Sequence, residues 1–112
     1  MSPPLPPTFL VHYFIRENVE EEFTALISEI ADRSHGKDGC LSYSVYRNRT
    51  DIRVFAVFEQ YEDSAALLRH REALYARFGP PSHSPSRLPQ QIAEKIEHFE
   101  YWPVERLAGG QT

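Results

Sequence analysis

The spacing of apolar and polar residues in the first third of the chain predicts a strand followed by a helix. The segment Phe9–Ile15 is rich in β-branched and aromatic residues and is too short for a core helix, so it predicts a strand. Apolar residues then recur every three or four positions, which predicts a helix over about Val19–Ser34. Asn18 can cap this helix, with Glu21 in the position that completes a capping box.

The middle of the chain continues with a hairpin and a second helix. Cys40–Arg47 alternates as a strand, and after a turn Ile52–Tyr61 has the composition of another strand, so the two predict a β-hairpin. A helix is expected over about Ser64–Phe78, because Asp63 is a suitable N-cap and Gly79 a suitable end.

The last third of the chain predicts a long loop and a final strand. Gly79–Pro89 is rich in proline and serine and predicts a loop, either a lid over a pocket or a plain surface insertion. The lid is favoured because long loops inside compact domains are often functional. A strand is expected over Lys95–Trp102. The resulting order β-α-β-β-α-β is that of the ferredoxin-like plait, an α+β fold with an antiparallel sheet and both helices on one face.

The second hairpin strand indicates that both faces of the sheet are buried. Residues 54–58 are Val, Phe, Ala, Val and Phe, so positions of both parities are apolar. The two helices can cover only one face of the sheet. A second copy of the chain is the simplest cover for the other face, so we predict a homodimer that associates face to face through its sheets.

Length and composition point to one globular domain. The chain has 112 residues, of which 41% are hydrophobic, which is enough for the core of a single domain. The proline-rich residues 1–7 predict a disordered tail rather than a secretion signal. Residues 8–107 are predicted to form the domain, and residues 108–112 a flexible tail.

Charge and cysteine content exclude several classes of protein. A net charge of −4 disfavours a nucleic-acid partner. No apolar run approaches the roughly 20 residues of a membrane helix, so no membrane partner is expected. Cys40 is the only cysteine, which excludes an intramolecular disulfide framework and a multi-cysteine zinc site. We therefore expect a soluble, cytoplasmic protein.

His70 is the strongest single candidate for chemistry. It shares one stripe of the second predicted helix with Leu74 and Phe78, so its imidazole is expected to point towards the sheet. An imidazole titrates at about 6.5 and can move a proton at neutral pH. A histidine on an apolar face can also be a packed core residue. His12 has the same parity as Leu10 in the first strand, which favours an interior position.

The histidine spacing does not predict a metal site. The pairs lack the HxH, HxxxH and HExxH spacings that hold metal ions, so a site built from His12, His70, His98 and Glu59 has no support. Glycine-rich phosphate loops and nucleotide-binding motifs are also absent from the sequence. We therefore expect no metal and no cofactor.

Aromatic residues are abundant for a chain of this size. Phenols and indoles can pack the core and an interface, or they can line a pocket for a flat aromatic substrate. The tyrosines and the tryptophan are Tyr13, Tyr43, Tyr46, Tyr61, Tyr75, Tyr101 and Trp102.

Four segments of the chain resemble one known family. Gly39–Asn48 (GCLSYSVYRN), Phe55–Tyr61 (FAVFEQY) and Ser64–His70 (SAALLRH) resemble, in order and spacing, motifs of antibiotic-biosynthesis-monooxygenase (ABM) domains. Glu20–Phe23 resembles the start of the first helix in that family. The resemblance extends over Phe9–Val104, nearly the whole predicted domain.

This resemblance implies a dimeric α/β barrel, with cofactor-free oxygenation of quinols or of polyphenols such as anthrones as the commonest activity. Related domains also degrade haem or isomerise small molecules, so the fold does not determine the reaction. The chain departs from the family pattern at Tyr61, where a tryptophan is usual, and at Tyr75, where many members have a second histidine. The asparagine and tryptophan of the haem degraders are not evident.

The residues and the resemblance together predict an oxidoreductase, a cofactor-independent monooxygenase that oxidises a quinol, phenol or anthrone-like aromatic with O₂. His70 is predicted to be the base or a proton relay, and Glu59 either orients it or forms a structural salt bridge. Tyr43, Tyr61 and Tyr75 are candidates to stabilise an oxyanion or to position the ring. The residues predicted to contact the substrate are His12, Tyr43, Phe55, Leu74, Phe78 and Trp102.

Two alternatives on the same fold stay open. The domain can be a non-catalytic dimeric module that binds a hydrophobic ligand or partner, with His70 as a packed core residue. It can also be an isomerase.

Overall fold

The computed structural model describes residues 5–83 and 87–109 of the chain. Four strands and two long helices follow one another in the predicted order β-α-β-β-α-β, and one short helix before the last strand is not predicted by the sequence. None of the described helices is long and apolar enough to span a membrane. The elements are β1 (Thr8–Ile15), α1 (Glu20–Ser34), β2 (Cys40–Arg47), β3 (Val54–Tyr61), α2 (Ser64–Phe78), α3 (Gln90–Ala93) and β4 (Ile96–Pro103).

The four strands form one antiparallel sheet in the order β2-β3-β1-β4. The central strands β1 and β3 pair Val11 with Val57. On the outer sides of this pair, Tyr101 of β4 is opposite Val11 and Val45 of β2 is opposite Val57. This arrangement confirms the predicted ferredoxin-like α+β fold.

One face of the sheet is packed against α1 and α2, and we call it the covered face. Its central contact is made by Phe23 of α1, whose ring centroid lies 5.5 Å from that of Tyr13 and 4.9 Å from that of Phe55. Ile27 and Ile30, on the same side of α1, are also fully buried. The apolar stripe predicted for α1 therefore faces the sheet.

The opposite face, which we call the open face, has no covering element within residues 5–83 and 87–109. Apolar side chains on this face are only partly buried, and Trp102 and Tyr46 are 56% and 62% exposed. Paired residues form three rows across the face, which are Trp102–Leu10–Phe58–Ser44, Glu100–His12–Ala56–Tyr46 and His98–Phe14–Val54.

His12 lies on the open face, so its predicted interior position is wrong. In β1 the buried residues are Phe9, Val11, Tyr13 and Ile15, and His12 points to the other side. Both parities of this strand are apolar, so alternation alone does not reveal which set faces the helices. The Nδ1 atom of His12 is buried without a hydrogen-bond partner among the described residues.

The two long helices begin differently. Asp63 caps α2 as predicted, since its carboxylate accepts a hydrogen bond of 2.8 Å from the backbone N–H of Ala66. The predicted capping box of Asn18 and Glu21 is wrong, because Val19 occupies the N-cap position and no side chain caps α1. Asn18 lies one residue before the N-cap. Its φ of 68° is a left-handed turn conformation that asparagine tolerates.

β3 begins at Val54, two residues later than the predicted start at Ile52. Asn48 Oδ1 accepts a hydrogen bond of 3.1 Å from the backbone N–H of Asp51, and Asp51 Oδ1 accepts one of 3.0 Å from Arg53. These contacts extend the turn, because short polar side chains occupy backbone donors that the strand ladder would otherwise use.

The segment between α2 and β4 is held by backbone pairing at its two ends. Pro81 and Pro89 form an isolated bridge, and the Ser82 N–H donates a hydrogen bond of 2.8 Å to the Leu88 carbonyl. β4 begins one residue after the predicted start at Lys95. Residues 84–86 and most of the predicted tails 1–7 and 108–112 lie outside the described residues, so the domain limits and the lid stay predictions.

Candidate functional site

A cavity of about 350 Å³ lies between the covered face of the sheet, α2 and the segment 87–89. We call it the first cavity, and its size lies within the range of about 300–1,000 Å³ that is usual for small-molecule sites. Phenol rings and apolar side chains form most of its wall. The charged and imidazole groups in the wall are Glu59, His70, Arg71 and Arg87.

Glu59 supplies the carboxyl group of the first cavity. It projects from β3 towards the helices and is only 7% exposed, and the Tyr61 hydroxyl donates a hydrogen bond of 3.0 Å to its Oε1. Burial raises the pKa of Glu59 from its ordinary value of 4.5 to about 7, although the Tyr61 hydrogen bond and the charge of Arg71 act in the opposite direction. Within the part of the chain that the structure describes, Glu59 forms no salt bridge. Its carboxyl group therefore exchanges a proton close to neutral pH.

His70 lies on α2 with its ring directed at the sheet, as the apolar stripe of that helix predicts. Its ring centroid is 5.5 Å from that of Tyr43 and 5.1 Å from that of Tyr61. Burial, helped by the charge of Arg71, lowers the pKa of His70 from 6.5 to about 4. The imidazole is therefore neutral at neutral pH and is a weak base.

Three buried tyrosines surround Glu59 and His70. Burial is the main cause that raises the pKa of Tyr13, Tyr43 and Tyr61, and the negative charge of Glu59 raises it further. All three phenols therefore stay protonated at neutral pH and act as hydrogen-bond donors. Tyr13 and Tyr43 line the first cavity, whereas Tyr61 lies behind its wall and holds Glu59.

Arg71 and Tyr101 form a polar side of the first cavity that the sequence patterns do not single out. Arg71 Nη2 donates a hydrogen bond of 2.9 Å to the Tyr101 hydroxyl oxygen. Burial raises the pKa of Tyr101 to about 12, against the opposing charge of Arg71. The contact joins α2 to β4 across 30 residues of sequence, so no local spacing reveals it.

Tyr75 connects the cavity to the loop that follows α2. Its hydroxyl donates a hydrogen bond of 2.9 Å to the backbone carbonyl of Arg87. Arg87, Leu88 and Pro89 all line the first cavity. The end of the loop therefore forms part of the cavity wall, and Tyr75 ties it to α2.

The structure brings several of the predicted site residues together. Glu59, His70 and Tyr75, predicted to be catalytic, line the first cavity, as do Tyr43 and Leu74, predicted to contact the substrate. They come from β2, β3 and α2, which the fold places side by side.

Four residues predicted to contact the substrate lie away from the first cavity. Phe55 is buried in the core against α1, and Phe78 lines a different cavity at the end of α2. His12 and Trp102 lie on the open face, on the far side of the sheet. Periodicity places these residues on strands and helices, but it does not tell an apolar core position from a cavity wall.

The histidines do not converge on one point. His12 and His98 lie on the open face, whereas His70 and Glu59 lie on the covered side. Within residues 5–83 and 87–109, no group of three or more His, Cys, Asp or Glu side chains is placed to hold a metal ion.

Comparison with known protein families identifies a family for most of the domain. The model of the family described as "Antibiotic biosynthesis monooxygenase" matches residues 8–77, more than half of the chain. The protein sll1783 of Synechocystis, described as uncharacterized, is 34% identical over 61 residues, which are 54% of this chain and 42% of that protein. The chain thus spans less than half the length of this relative.

Solved structures share the fold along nearly the whole chain. PA3566 from Pseudomonas aeruginosa has a TM-score of 0.71 at 24% identity, over 94% of this chain and 97% of that one. Rv0793 from Mycobacterium tuberculosis has a TM-score of 0.70 at 21% identity, over 96% of this chain and 100% of that one. The family match covers the strands and helices that carry Glu59 and His70, and the chain belongs to the antibiotic biosynthesis monooxygenase family.

Proposed function

We propose that this chain is a monooxygenase that uses O₂, without a cofactor, to oxidise an electron-rich aromatic compound such as a quinol, a phenol or an anthrone. The observation that carries the proposal is the carboxyl group of Glu59, which is 7% exposed in a cavity walled by phenols and has a pKa of about 7. A base whose pKa is close to the working pH is well suited to take a proton from a phenol or an activated methylene. Membership of the family supports this class of reaction.

Glu59, rather than His70, is the proton acceptor in this proposal. The sequence favours His70 as the base, but a group with a pKa of about 4 takes up a proton poorly at neutral pH. The neutral His70 ring serves instead to hydrogen-bond and position the substrate. The 3.0 Å hydrogen bond from Tyr61 orients the Glu59 carboxyl group.

Deprotonation leaves negative charge on an oxygen of the substrate, and protonated phenols in the wall can stabilise it. Tyr43 and Tyr101 both line the first cavity with raised pKa values. The oxygen of Tyr101 already accepts a hydrogen bond from Arg71, so the Tyr101 proton is available for the substrate. Arg71 also adds positive charge on this side of the cavity.

The substrate itself supplies the electrons. The deprotonated substrate passes one electron to O₂, and the resulting radical and superoxide combine into a peroxide, which a proton converts to a hydroperoxide. For an anthrone, loss of water from the hydroperoxide turns the methylene carbon into a carbonyl group. One atom of O₂ enters the product and the other leaves in water with both methylene hydrogens, so no external reductant is needed.

We also propose that the working unit is a homodimer joined through the open face, in the cytoplasm. The row Trp102–Leu10–Phe58 places apolar side chains across three neighbouring strands of that face. A surface of this kind suits a two-fold contact with a second copy of the chain. The buried free thiol of Cys40 suits a reducing compartment.

Oxygen consumption by the purified, metal-free protein tests the reaction. With menadiol or an anthrone we expect uptake of O₂, and with isotopically labelled O₂ the anthrone product should gain one labelled atom by mass spectrometry. Absence of uptake with both compounds, with binding of the anthrone retained, would favour the non-catalytic module or the isomerase.

Replacement of the proposed base tests the role of Glu59. Glu59→Gln should slow turnover by about 10²–10⁴-fold, and the rise in rate with pH through about 7 should disappear. Glu72→Gln makes the same change at an exposed position of α2 and should leave the rate unaltered. His70→Gln should slow turnover less than Glu59→Gln does. The reverse order would assign the role of base to His70.

A further inference from the structure

A second cavity, of about 250 Å³, lies behind His70 in the seam between α1 and α2. His70 and Leu74 line both cavities and form the wall that they share. Lys37, in the loop before β2, and Cys40, the first residue of β2, also line the second cavity. The proposed oxidation does not use this space.

The wall of the second cavity is strongly cationic. Arg33, Lys37, Arg69 and Arg77 line it, against the single carboxylate of Asp38. Because the whole chain has a net charge of −4, this excess of positive charge is local. A concave site lined by one sign of charge attracts ligands of the other sign.

Two of these guanidinium groups are anchored by one carboxylate. Arg77 donates to both oxygens of Glu29, at 3.0 and 3.1 Å, and Arg33 Nε lies 3.1 Å from Glu29 Oε2. One negative charge therefore holds two positive charges in place, and the trio keeps a net positive charge. A cation that is already positioned loses less side-chain freedom when it binds an anion.

The other two cations, Lys37 and Arg69, donate hydrogen bonds to backbone carbonyls rather than to carboxylates. Lys37 Nζ donates a hydrogen bond of 3.1 Å to the backbone carbonyl of Asp32, and Arg69 Nη2 donates one of 3.4 Å to that of Asp38. Neither forms a salt bridge within the described ranges 5–83 and 87–109. Their charges therefore remain available to a ligand.

The interior of the second cavity is apolar. Ile30, Cys40 and Phe78 are buried, and Leu74 and Ala73 add further aliphatic surface. A purely inorganic anion would gain little from these side chains. An organic anion can place its charge at the cationic rim and bury its apolar body against them.

We propose that the second cavity is a binding site for a small organic anion, a carboxylate on an aromatic or aliphatic body of about the size of benzoate. The carboxylate binds Arg69 and Lys37, with the anchored Arg77 beside them, and the apolar body lies towards His70. The ligand thereby contacts the wall of the first cavity from behind. The site does not depend on the first cavity being catalytic.

Titration of the whole chain with benzoate, followed by calorimetry and NMR, tests this proposal. Benzyl alcohol serves as a neutral ligand of similar shape. We expect saturable binding of benzoate that shifts the amide signals of Ile30 and Ser34 and the ring signals of His70, and binding of benzyl alcohol at least about tenfold weaker. Equal affinity for the two compounds, or shifts confined to Phe99 and Tyr101 in the first cavity, would overturn the proposal.

Matched variants distinguish binding of benzoate in the second cavity from non-specific attraction of the anion to positive charges elsewhere on the surface. Arg69→Gln and Lys37→Gln should each weaken benzoate binding by about tenfold. Arg49→Gln removes the same charge from the exposed turn between β2 and β3 and should leave the affinity unchanged. Ala73→Phe should fill the cavity and abolish binding while the circular dichroism spectrum is retained. An equal loss of affinity in Arg49→Gln and Arg69→Gln would contradict the proposal.

Discussion

The two faces of the sheet are built from the same four strands but differ in burial and in chemistry. On the covered face, Glu59 and Tyr61 lie next to the first cavity and Phe55 joins the closed core. On the open face, Phe58 and His12 lie without a cover among residues 5–83 and 87–109. Neighbouring residues of one strand, such as Phe58 and Glu59, therefore belong to different surfaces. In the proposed function, this strand, apolar at both parities, carries the reaction site on one face and the association surface on the other.

The largest expected loss of stability comes from the covered face. Phe23→Ala should lower the free energy of unfolding by about 3–5 kcal/mol, because its ring is fully buried between Tyr13 and Phe55. Leu68→Ala, at a position of α2 that is 57% exposed, should cost less than about 0.5 kcal/mol. Urea denaturation measures both values, and equal losses would contradict this description of the core.

Glu59 should make stability depend on pH. Burial raises its pKa from 4.5 to about 7, so between these values the folded chain holds a proton that the unfolded chain has lost. Glu59 therefore contributes a fall in stability of roughly 3 kcal/mol as the pH rises through this window, whereas His70, whose pKa burial lowers to about 4, contributes a rise between about pH 4 and 6.5. In denaturation at several pH values, the stability of Glu72→Gln relative to that of Glu59→Gln should fall by the amount that Glu59 contributes, because both variants retain His70. A difference in stability between Glu72→Gln and Glu59→Gln that stays constant over this window would contradict the raised pKa of Glu59.

On the open face, a charge introduced at the proposed dimer contact should prevent association without unfolding the chain. Phe58 lies on a central strand between Leu10 and Ser44, so Phe58→Asp should weaken the proposed dimer by about 2 kcal/mol or more. Light scattering should then detect a monomer with an unchanged circular dichroism spectrum. Leu68→Asp introduces the same charge on α2 and should leave the dimer intact. A wild-type monomer at micromolar concentration would refute the association.

The smallest expected effect is local to the rim of the first cavity. Tyr75→Phe removes the hydrogen bond to the Arg87 carbonyl and should cost about 1 kcal/mol. The amide of Ser82, which donates to Leu88, should then exchange its hydrogen faster. Tyr46→Phe, on the exposed part of the open face, is the matched control and should leave that exchange rate unchanged. Equal exchange rates of the Ser82 amide hydrogen in the wild type and in Tyr75→Phe would mean that Tyr75 does not hold the loop.

The succession of strands and helices was predictable because its signals are local. Asp63 caps α2 through a contact with Ala66, only three residues away, and the spacing of Phe23 and Ile27 defines one helical stripe. The predicted start of β3 was wrong because Asn48 bonds to the backbone of the turn, and an extended pattern in the sequence does not show that contact.

The candidate site was only partly predictable. His70 has the orientation that its helical stripe predicts, and Glu59 lies in a segment that resembles the family motif. The contact between Arg71 and Tyr101 joins elements far apart in sequence, so it had no local signal. The proposed exchange of roles between His70 and Glu59 follows from burial, which depends on the surrounding tertiary packing.

The sequence by itself determined the order of the elements, the ferredoxin-like fold and the apolar character of both sheet faces. These follow from periodicity, which is a property of neighbouring residues along the backbone. The tertiary structure decided that Tyr13 faces the helices and His12 faces away, and that burial raises the pKa of Glu59 to about 7. Both depend on which elements pack against a strand, because burial is set by residues that are distant in sequence.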